Sequence, residues 1–222
     1  MMSPNMTVPP PSEEKQLPSI SDAIGGPLGM FETALPTLVF IVMITIDRQE
    51  IGRASLVAVI VAAILAAVRL ARGQTIRFVA GGLFGVAFSA FVAAKSGKAE
   101  NFFLPGLLIN AAYAAALLIS LAFRRPLIGY FVTAFHGVDP TSPWHADRPF
   151  ARAATRATWI FGAIFLLKLL VQLPMYLTDS LVALGVAKIA MGYPLYALGI
   201  WLTWLMMRSV AVPHPEAVAD VK

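Results

Sequence analysis

The sequence predicts an all-α membrane protein, a polytopic helical bundle that crosses the bilayer six times. Hydrophobic residues make up 58% of the chain and charged residues only 13%. The hydrophobic residues are concentrated in six long stretches, and the lysines and arginines gather in alternate loops between them. A soluble helical bundle is disfavoured because each stretch is apolar on all sides, whereas a helix on a soluble protein keeps one polar face.

Each apolar stretch is close to the length of a membrane span, since a helix needs about 20 residues to cross roughly 30 Å of hydrocarbon. The second stretch is the shortest, and we expect Arg69 near its end to reach the membrane surface with its long side chain. The six predicted spans are Gly29 to Ile46, Ala54 to Leu70, Phe78 to Ala94, Phe102 to Phe123, Ala157 to Leu177, and Ile189 to Met207.

The segments outside these spans predict three regions. Residues 1–24 are rich in proline and charge, with the run PPPSEEK, and are too polar to form a core. We expect a disordered cytoplasmic tail there, a six-span membrane domain over residues 25–208, and a second disordered tail over 209–222. The chain has no cysteine, which excludes disulfides, thiolate metal sites and thiol catalysis.

Positive side chains are unequally divided between the two sets of loops, which predicts orientation because short cytoplasmic loops retain lysine and arginine. One set holds Lys15, Arg69, Arg72, Arg77, Arg124, Arg125, Arg148, Arg152, Arg156, Arg208 and Lys222. The other holds Arg48, Arg53, Lys95 and Lys98, with Lys188 near its boundary. Both termini are therefore expected in the cytoplasm. Nucleic-acid binding is disfavoured, because the charge is spread over several loops.

Small residues recur every four positions in the second and third spans. Such repeats allow helices in lipid to approach closely. They predict either a dimerisation face or packing within one bundle, and we favour packing within the bundle. The residues concerned include Ala58, Ala62, Gly81 and Gly85.

The loop between the fourth and fifth spans contains PLIGYFVTAF, an apolar segment about half as long as a span. We expect a short helix lying along the cytoplasmic surface, with Arg124 and Arg125 beside anionic lipid headgroups. A re-entrant half-helix is the alternative. The loop that follows carries His136, Asp139, His145 and Asp147. Their spacing fits no metal site, and the chain has no catalytic motif of the metalloprotease, P-loop or serine-hydrolase type.

Lys168 lies close to the middle of the fifth span, about 13 Å from its outer end at Leu177 by helical rise. That depth is beyond comfortable reach of the surface. Ionisable groups inside a membrane are costly and usually face a bundle interior or a water-filled cavity. Gln172 follows one turn later on the same face. Lys168 is therefore the centre of the predicted site.

The fourth span runs in the opposite direction, so Asn110 is expected at a similar depth and Tyr113 one turn further in. Glu32, in the first turn of the first span, is the carboxylate expected to lie near Lys168 and balance its charge. The predicted polar cluster is Glu32, Asn110, Tyr113, Lys168 and Gln172. The cluster is either a structural clasp that fixes helix register or a site for permeation or ligand binding, and the residues alone leave both open.

Four predicted spans contain a proline, and each proline removes a helical hydrogen bond and frees the carbonyl four residues earlier. Broken helices beside polar residues are typical of transporters, although prolines also occur in inert membrane helices. The prolines are Pro36, Pro105, Pro174 and Pro194.

Several runs between Gly25 and Arg208 resemble an actinobacterial membrane family labelled domain of unknown function 3159. They are ETALPTLVF, FFLPGLLINAAYA, RRPLIGY, KLLVQLPMYL and AKIAMGYPLYALGIWLTW. This resemblance implies the topology and a bacterial cytoplasmic-membrane location but no reaction. The order of these runs is more distantly similar to the intracellular septation protein A family, whose members are linked to envelope synthesis and division through protein contacts.

Two classes of function follow. The resemblance favours a non-catalytic envelope or septation-related protein that contacts lipids, other membrane proteins or itself. A small transporter or channel for an ion or solute, with its polar site around Lys168, is the alternative. An enzyme acting on lipid is disfavoured because no acid, base, nucleophile or metal constellation is present at usable spacing, and we expect no cofactor.

Overall fold

The computed structural model describes residues 26–135, 139, 144–208 and 210, and within these ranges the chain forms helices and turns without a strand. The predicted tails over 1–24 and 209–222, apart from Val210, lie outside the described residues. The described α-helices are α1 Gly26–Ile46, α2 Ile51–Ala71, α3 Ile76–Ser96, α4 Leu104–Ala122, α5 Leu127–Phe135, α6 Arg148–Leu177, α7 Leu181–Ala190 and α8 Tyr193–Met207. Short 3-10 helices cover Ala99–Phe102 and Trp144–Ala146.

Five segments of the described chain are long and apolar enough to cross a membrane. They are α2, the part of α3 from Val79, α4, α6, and α7 with α8 taken together. The described side chains of α1 begin at Glu32, and Glu32–Ile46 is a shorter apolar helix. The chain is therefore a multi-pass membrane protein with five candidate spans and one further apolar helix.

The fifth predicted span is longer than expected, because α6 begins at Arg148 and not at Ala157. The Asp147 carboxylate accepts a hydrogen bond from the Phe150 backbone N–H at 3.2 Å, and Pro149 occupies the first turn. Both features favour a helix start. At about 1.5 Å per residue, the 30 residues of α6 extend about 45 Å, which exceeds the roughly 30 Å of a hydrocarbon core.

The last predicted span, Ile189 to Met207, is not one continuous helix, because the chain breaks at Met191 and Gly192 between α7 and α8. Pro194 lies in the first turn of α8 and has no N–H to offer the Ala190 carbonyl. A Cβ on Gly192 would lie 3.1 Å from the Lys188 carbonyl oxygen. The missing donor of Pro194 and the small size of Gly192 both favour a break at this position.

The bundle has two ends, which we call the loop end and the terminal end. The loop end brings together Ile44, Arg48, Gly97, Glu100 and Asp179, which line one shallow cavity. The terminal end holds the start of α1, the α2–α3 turn, α5 and the end of α8. Near the loop end the buried core is aromatic, with the Phe40 and Phe102 rings stacked at 4.1 Å between centroids. Pro105 lies in the first turn of α4, so it starts this helix and does not interrupt it.

The small-residue repeats of α2 and α3 have different surroundings. Ala58 and Ala62 of α2 are buried. Gly81 and Gly85 of α3 are exposed, and a Cβ built on either would meet nothing within 4 Å. The expectation of packing inside one bundle therefore fails for these two glycines but not for Ser89 and Ala93, the later members of the same repeat, which are buried.

The predicted short helix between the fourth and fifth spans is present as α5. Its buried side packs on α6 through Gly129, where a Cβ would lie 2.5 Å from the Trp144 ring and 3.0 Å from the Ala154 Cβ. Trp144 is fully buried and contacts Tyr130 and Phe150 edge to face. On the other side, three apolar residues spaced four apart are exposed: Leu127, Phe131 and Phe135.

Candidate functional site

The Lys168 side chain is buried inside the bundle, with 6% of its surface exposed. Its ammonium group donates a hydrogen bond to the Tyr196 hydroxyl at 2.9 Å and lies 4.1 Å from the centre of the Tyr196 ring. An aromatic face attracts a cation electrostatically. The phenol of α8 thus holds the ammonium at a depth of about 13 Å below the loop end of α6, counted by helical rise.

A cavity of about 170 Å³ lies beside Lys168, between α4, α6 and α7. We call it the Lys168 cavity. It brings together three of the five residues predicted from sequence and adds a second lysine. Its lining residues are Phe103, Gly106, Leu107, Ile109, Asn110, Lys168, Gln172 and Lys188. Within the described part of the chain, no aspartate or glutamate contributes to this lining.

Gln172 lies one helical turn after Lys168 and is 3% exposed. Its side-chain nitrogen makes no hydrogen bond to any described residue. A buried amide donor without a partner is costly, so native structures usually satisfy it with another protein group, water or a ligand. The Lys168 cavity therefore contains an unused donor.

The Lys188 ammonium approaches the same cavity from α7. It lies 4.9 Å from the centre of the Phe103 ring and 5.7 Å from that of Phe102. Gly106 opposite leaves room for it, since a Cβ there would lie 4.0 Å from the lysine nitrogen. No carboxylate among the described residues forms an ion pair with either lysine. Two formally cationic groups thus share one cavity with aromatic and amide neighbours.

The Glu32 carboxylate has other partners than the one expected from sequence. It accepts a hydrogen bond from the Arg69 guanidinium at 3.2 Å and another from Arg72 at 2.6 Å. These arginines end α2, which runs antiparallel to α1, so the pair lies at the terminal end. Glu32 therefore pairs with Arg69 and Arg72 and not with Lys168. The prediction that this carboxylate balances the charge of Lys168 is wrong.

Tyr113 also lies outside the Lys168 cavity. Its ring stacks on Phe165 with 5.2 Å between centroids, and 55% of the residue is exposed. Tyr113 and Asn110 are three residues apart, so their side chains are only about 60° apart around the helix axis. Asn110 nevertheless lines the cavity with Lys188, whereas Tyr113 contacts Phe165 of α6. The aromatic partner of Lys168 is Tyr196 of α8.

Two further cavities lie between the Lys168 cavity and the terminal end. One, of about 220 Å³, is lined by Lys188, Gly192 and Tyr193 together with residues of α1. The Tyr193 hydroxyl lies 2.7 Å from the Thr33 hydroxyl across this space. The other, of about 100 Å³, is lined by Thr33, Glu32, Arg69 and small residues of α2 and α3. Neighbouring cavities therefore share first Lys188 and then Thr33 as wall residues.

The terminal end also carries a basic surface. Arg148, Arg152 and Arg156 are spaced one turn apart on α6 and line an open hollow with His145. Arg124, predicted beside lipid headgroups, has a positive φ of 55° in the tight turn before α5, and Arg125 follows it. Within the described residues no three histidine, aspartate or glutamate side chains are grouped to hold a metal ion.

Sequence reasoning missed Tyr196 and the role of Lys188. α8 begins at Tyr193, directly after the break, and contacts α6 through Tyr196. The signal available in the sequence was the run KIAMGYPLY, which contains a lysine, a glycine, a proline and a tyrosine within nine residues. That composition is unusual for a plain membrane helix and is typical of an interrupted one.

The comparisons with known proteins agree with one of the resemblances described above. No curated protein and no solved structure matches the chain. A family model with the description Protein of unknown function (DUF3159) matches residues 24–214, which include every described helix. The chain belongs to this family.

Proposed function

We propose that this protein is a small membrane transporter or channel for an ion or small solute, with Lys168 and Lys188 at its polar site. The observation that carries the proposal is the position of Lys188, which is a wall of both the Lys168 cavity and the neighbouring cavity beside Tyr193. A clasp would be expected to seal Lys168 among hydrogen-bond partners. Here the lysine borders a space large enough for several water molecules, since water occupies about 30 Å³ in the liquid.

The interrupted helix supports the same function. The α7–α8 break lies next to Lys188, and the cavity beside Tyr193 is lined by Gly192 at the break itself. Irregular backbone inside a membrane is tolerated where it lines a cavity or is buried in protein. Discontinuous helices of this kind form substrate sites in many transporters. The function needs no catalytic group, and we propose that the protein is not an enzyme.

We further propose a bacterial cytoplasmic-membrane location with both termini in the cytoplasm and six crossings, α1 being the sixth span. Arginine supports this orientation, because nine described arginines lie at the terminal end and two at the loop end. The terminal-end arginines are Arg69, Arg72, Arg77, Arg124, Arg125, Arg148, Arg152, Arg156 and Arg208. The loop-end arginines are Arg48 and Arg53, which lie there with Lys95 and Lys98.

Membrane lipids are proposed partners at the terminal end. The exposed side of α5 presents Leu127, Phe131 and Phe135, and Arg124 and Arg125 precede it. A short helix with one apolar face and adjacent cations suits the boundary between headgroups and acyl chains. In this position the two arginines would meet anionic phosphates.

Flux into liposomes tests the proposed function. Purified protein is reconstituted, and the uptake of protons, alkali cations and anions is measured for the wild type, Lys168→Met and Lys188→Met. Lys95→Met is the matched control, because Lys95 is exposed at the end of α3. Flux in the wild type and the control, with at least about a tenfold loss in the two cavity variants, is expected if a buried charge contributes about 1.4 kcal/mol or more at the rate-limiting step.

The result that overturns the proposal is an absence of flux in the wild type for all these solutes. Equal flux in all four proteins would contradict the site. The fold of each variant is checked by its elution as a single species in detergent and by its helical circular dichroism signal, so that an unfolded variant is not read as an inactive one.

A second candidate function is a non-catalytic envelope or septation-related protein that acts through contacts with other membrane proteins or with itself. The observation that favours it is the uncovered face of α3, where Gly81 and Gly85 are exposed beside the stacked Phe84 and Phe88 rings. Close helix approach in membranes uses such small residues. Oxidative crosslinking of Gly85→Cys, with Val182→Cys on α7 as control, tests it. A dimer specific to Gly85→Cys supports this function, and no crosslink or equal crosslinking contradicts it.

A further inference from the structure

We infer that the ligand of the Lys168 cavity is a small oxyanion, of the carboxylate or phosphate class, held between the Lys168 and Lys188 ammonium groups. The inference rests on the proposed function and specifies its ligand. A cation or a neutral solute would have to enter a cavity whose charged groups are both positive.

Among the residues that the structure describes, no carboxylate compensates the charge of the cavity. Lys168 and Gln172 are almost fully buried, and the described lining contains no carboxylate. Buried charges in proteins are normally paired, because an isolated charge in a low-dielectric medium is costly. Glu32, the carboxylate that the sequence predicts beside Lys168, already forms ion pairs with Arg69 and Arg72. An anion bound between the lysines would supply the missing partner.

The polar atoms that face the cavity are suited to an acceptor-rich ligand. Each lysine ammonium has three donors and no acceptor, and Tyr196 takes only one of those of Lys168. The Gln172 side-chain nitrogen adds a buried donor without a partner. Hydrogen bonds between such donors and an ionised oxygen are roughly twice as strong as neutral ones. Oxygen acceptors of an oxyanion would satisfy all three groups at once.

Size and depth favour a free anion over a lipid headgroup. The cavity volume of about 170 Å³ accommodates a phosphate or a short carboxylate with a few water molecules. Asn110 and Lys188 lie about 9 Å and 10 Å from the loop-end starts of α4 and α7, counted by helical rise. A headgroup phosphate would have to leave the interface by that distance, whereas a free anion enters from the loop end without a tail.

Equilibrium dialysis of the purified full chain in a zwitterionic detergent, with radiolabelled inorganic phosphate or acetate at constant ionic strength, tests the inference. One saturable site is expected for the wild type and for Lys95→Met. In Lys168→Met and Lys188→Met, affinity is expected to fall by about tenfold or more, since a hydrogen bond to a charged group contributes about that much. Gln172→Leu keeps the charges and is expected to weaken binding by less than either lysine variant.

Several outcomes would overturn the inference. Absence of saturable binding of either probe to the wild type would do so, as would equal affinity in the wild type and in folded Lys168→Met and Lys188→Met. Binding that appears only when anionic phospholipid is added, and not with free phosphate or acetate, would assign the site to a headgroup and overturn the free-anion source.

The binding experiment and the flux experiment can give opposite results, so each tests its own proposal. Saturable anion binding with no flux of any solute would sustain the ligand and refute transport. Flux of protons or alkali cations that is lost in Lys168→Met, without any anion binding, would sustain transport and refute the oxyanion.

Discussion

Lys168 and Glu32 are both ionisable residues in apolar helices, yet the fold treats them differently. Glu32 receives two guanidinium donors at the terminal end. The Lys168 ammonium donates one hydrogen bond to the Tyr196 hydroxyl and borders a cavity. The first arrangement neutralises a charge with opposite charges, and it contributes to stability. The second leaves donor capacity and positive charge available, which is the feature expected of a binding site and not of a structural ion pair.

Replacement of Glu32 by glutamine is expected to lower the free energy of unfolding by about 1–3 kcal/mol, because it removes the negative charge and one of the two acceptor oxygens that Arg69 and Arg72 use. Glu50→Gln is the control. Glu50 and Arg53 lie 3.6 Å apart with side chains 43% and 73% exposed, so that pair should contribute under about 1 kcal/mol. Unfolding in mixed detergent and dodecyl sulfate measures both. Equal losses in the two variants would contradict the structural role of Glu32.

His145 is expected to make stability depend on pH. Burial against the Trp144 and Tyr130 rings, with the Arg125 guanidinium nearby, lowers the pKa of His145. Because the unfolded chain then binds the proton more readily than the folded one, stability is highest above the ordinary pKa of about 6.5 and is lost progressively as the pH falls below that value through the lowered pKa of the folded protein. Thermal unfolding at pH about 7.5 and about 5.5 measures the effect.

The matched variant for this prediction is His145→Phe, which keeps a ring at the stack and does not titrate. Its loss of stability on acidification should be smaller than that of the wild type. A loss of the same size in both proteins would show that other groups cause the pH dependence.

Two local features of the fold involve glycine at a position of close contact. Gly192 with Pro194 separates α7 from α8 and so positions Tyr196 against Lys168. Gly129 lets Trp144 lie against α5, which joins this helix to the terminal part of α6. Gly192 also lines the cavity beside Tyr193, and Gly129 joins α5 to α6 on the side opposite its exposed apolar residues. At Gly129, close approach of the Trp144 ring is the reason that the position requires glycine.

Gly129→Ala is expected to destabilise the protein by about 1–3 kcal/mol, because the added methyl group would overlap the buried Trp144 ring. Gly52→Ala is the control, since a Cβ there meets nothing within 4 Å. The control should be neutral or slightly stabilising, because alanine favours helix over glycine by up to about 1 kcal/mol. Thermal unfolding followed by circular dichroism distinguishes the two. Two variants of equal stability would place Trp144 elsewhere.

At the scale of the whole molecule, the proposed orientation rests on the number of crossings and on the distribution of positive charge. An even number of spans puts the beginning of α1 and the end of α8 on one side, and the nine terminal-end arginines favour that side for the cytoplasm. With this orientation the Lys168 cavity lies in the half of the membrane away from the cytoplasm. An external anion would therefore reach it before meeting the basic surface.

The absence of native cysteine makes this topology directly testable with single-cysteine variants in a bacterial host. Gln49→Cys, at the loop end, is expected to react with a membrane-impermeant maleimide in intact cells. Ser12→Cys and Thr75→Cys are expected to react only after permeabilisation. Reaction of Ser12→Cys and Gln49→Cys from the same side would show that α1 does not cross the membrane, and reaction of Thr75→Cys in intact cells would reverse the orientation.

The sequence by itself determined the class of protein, the approximate positions of the apolar helices and the depth of Lys168, because apolar length and one deeply placed charge are local properties of the chain. It also grouped Asn110 and Gln172 correctly with Lys168, since helical rise and direction suffice to match depth. It could not assign Glu32 to Arg69 and Arg72, Tyr196 to Lys168, or Lys188 to the cavity. Those contacts depend on which helices are neighbours and on a break between α7 and α8. Only tertiary structure decides helix adjacency, because packing in lipid is governed by the shapes of whole faces.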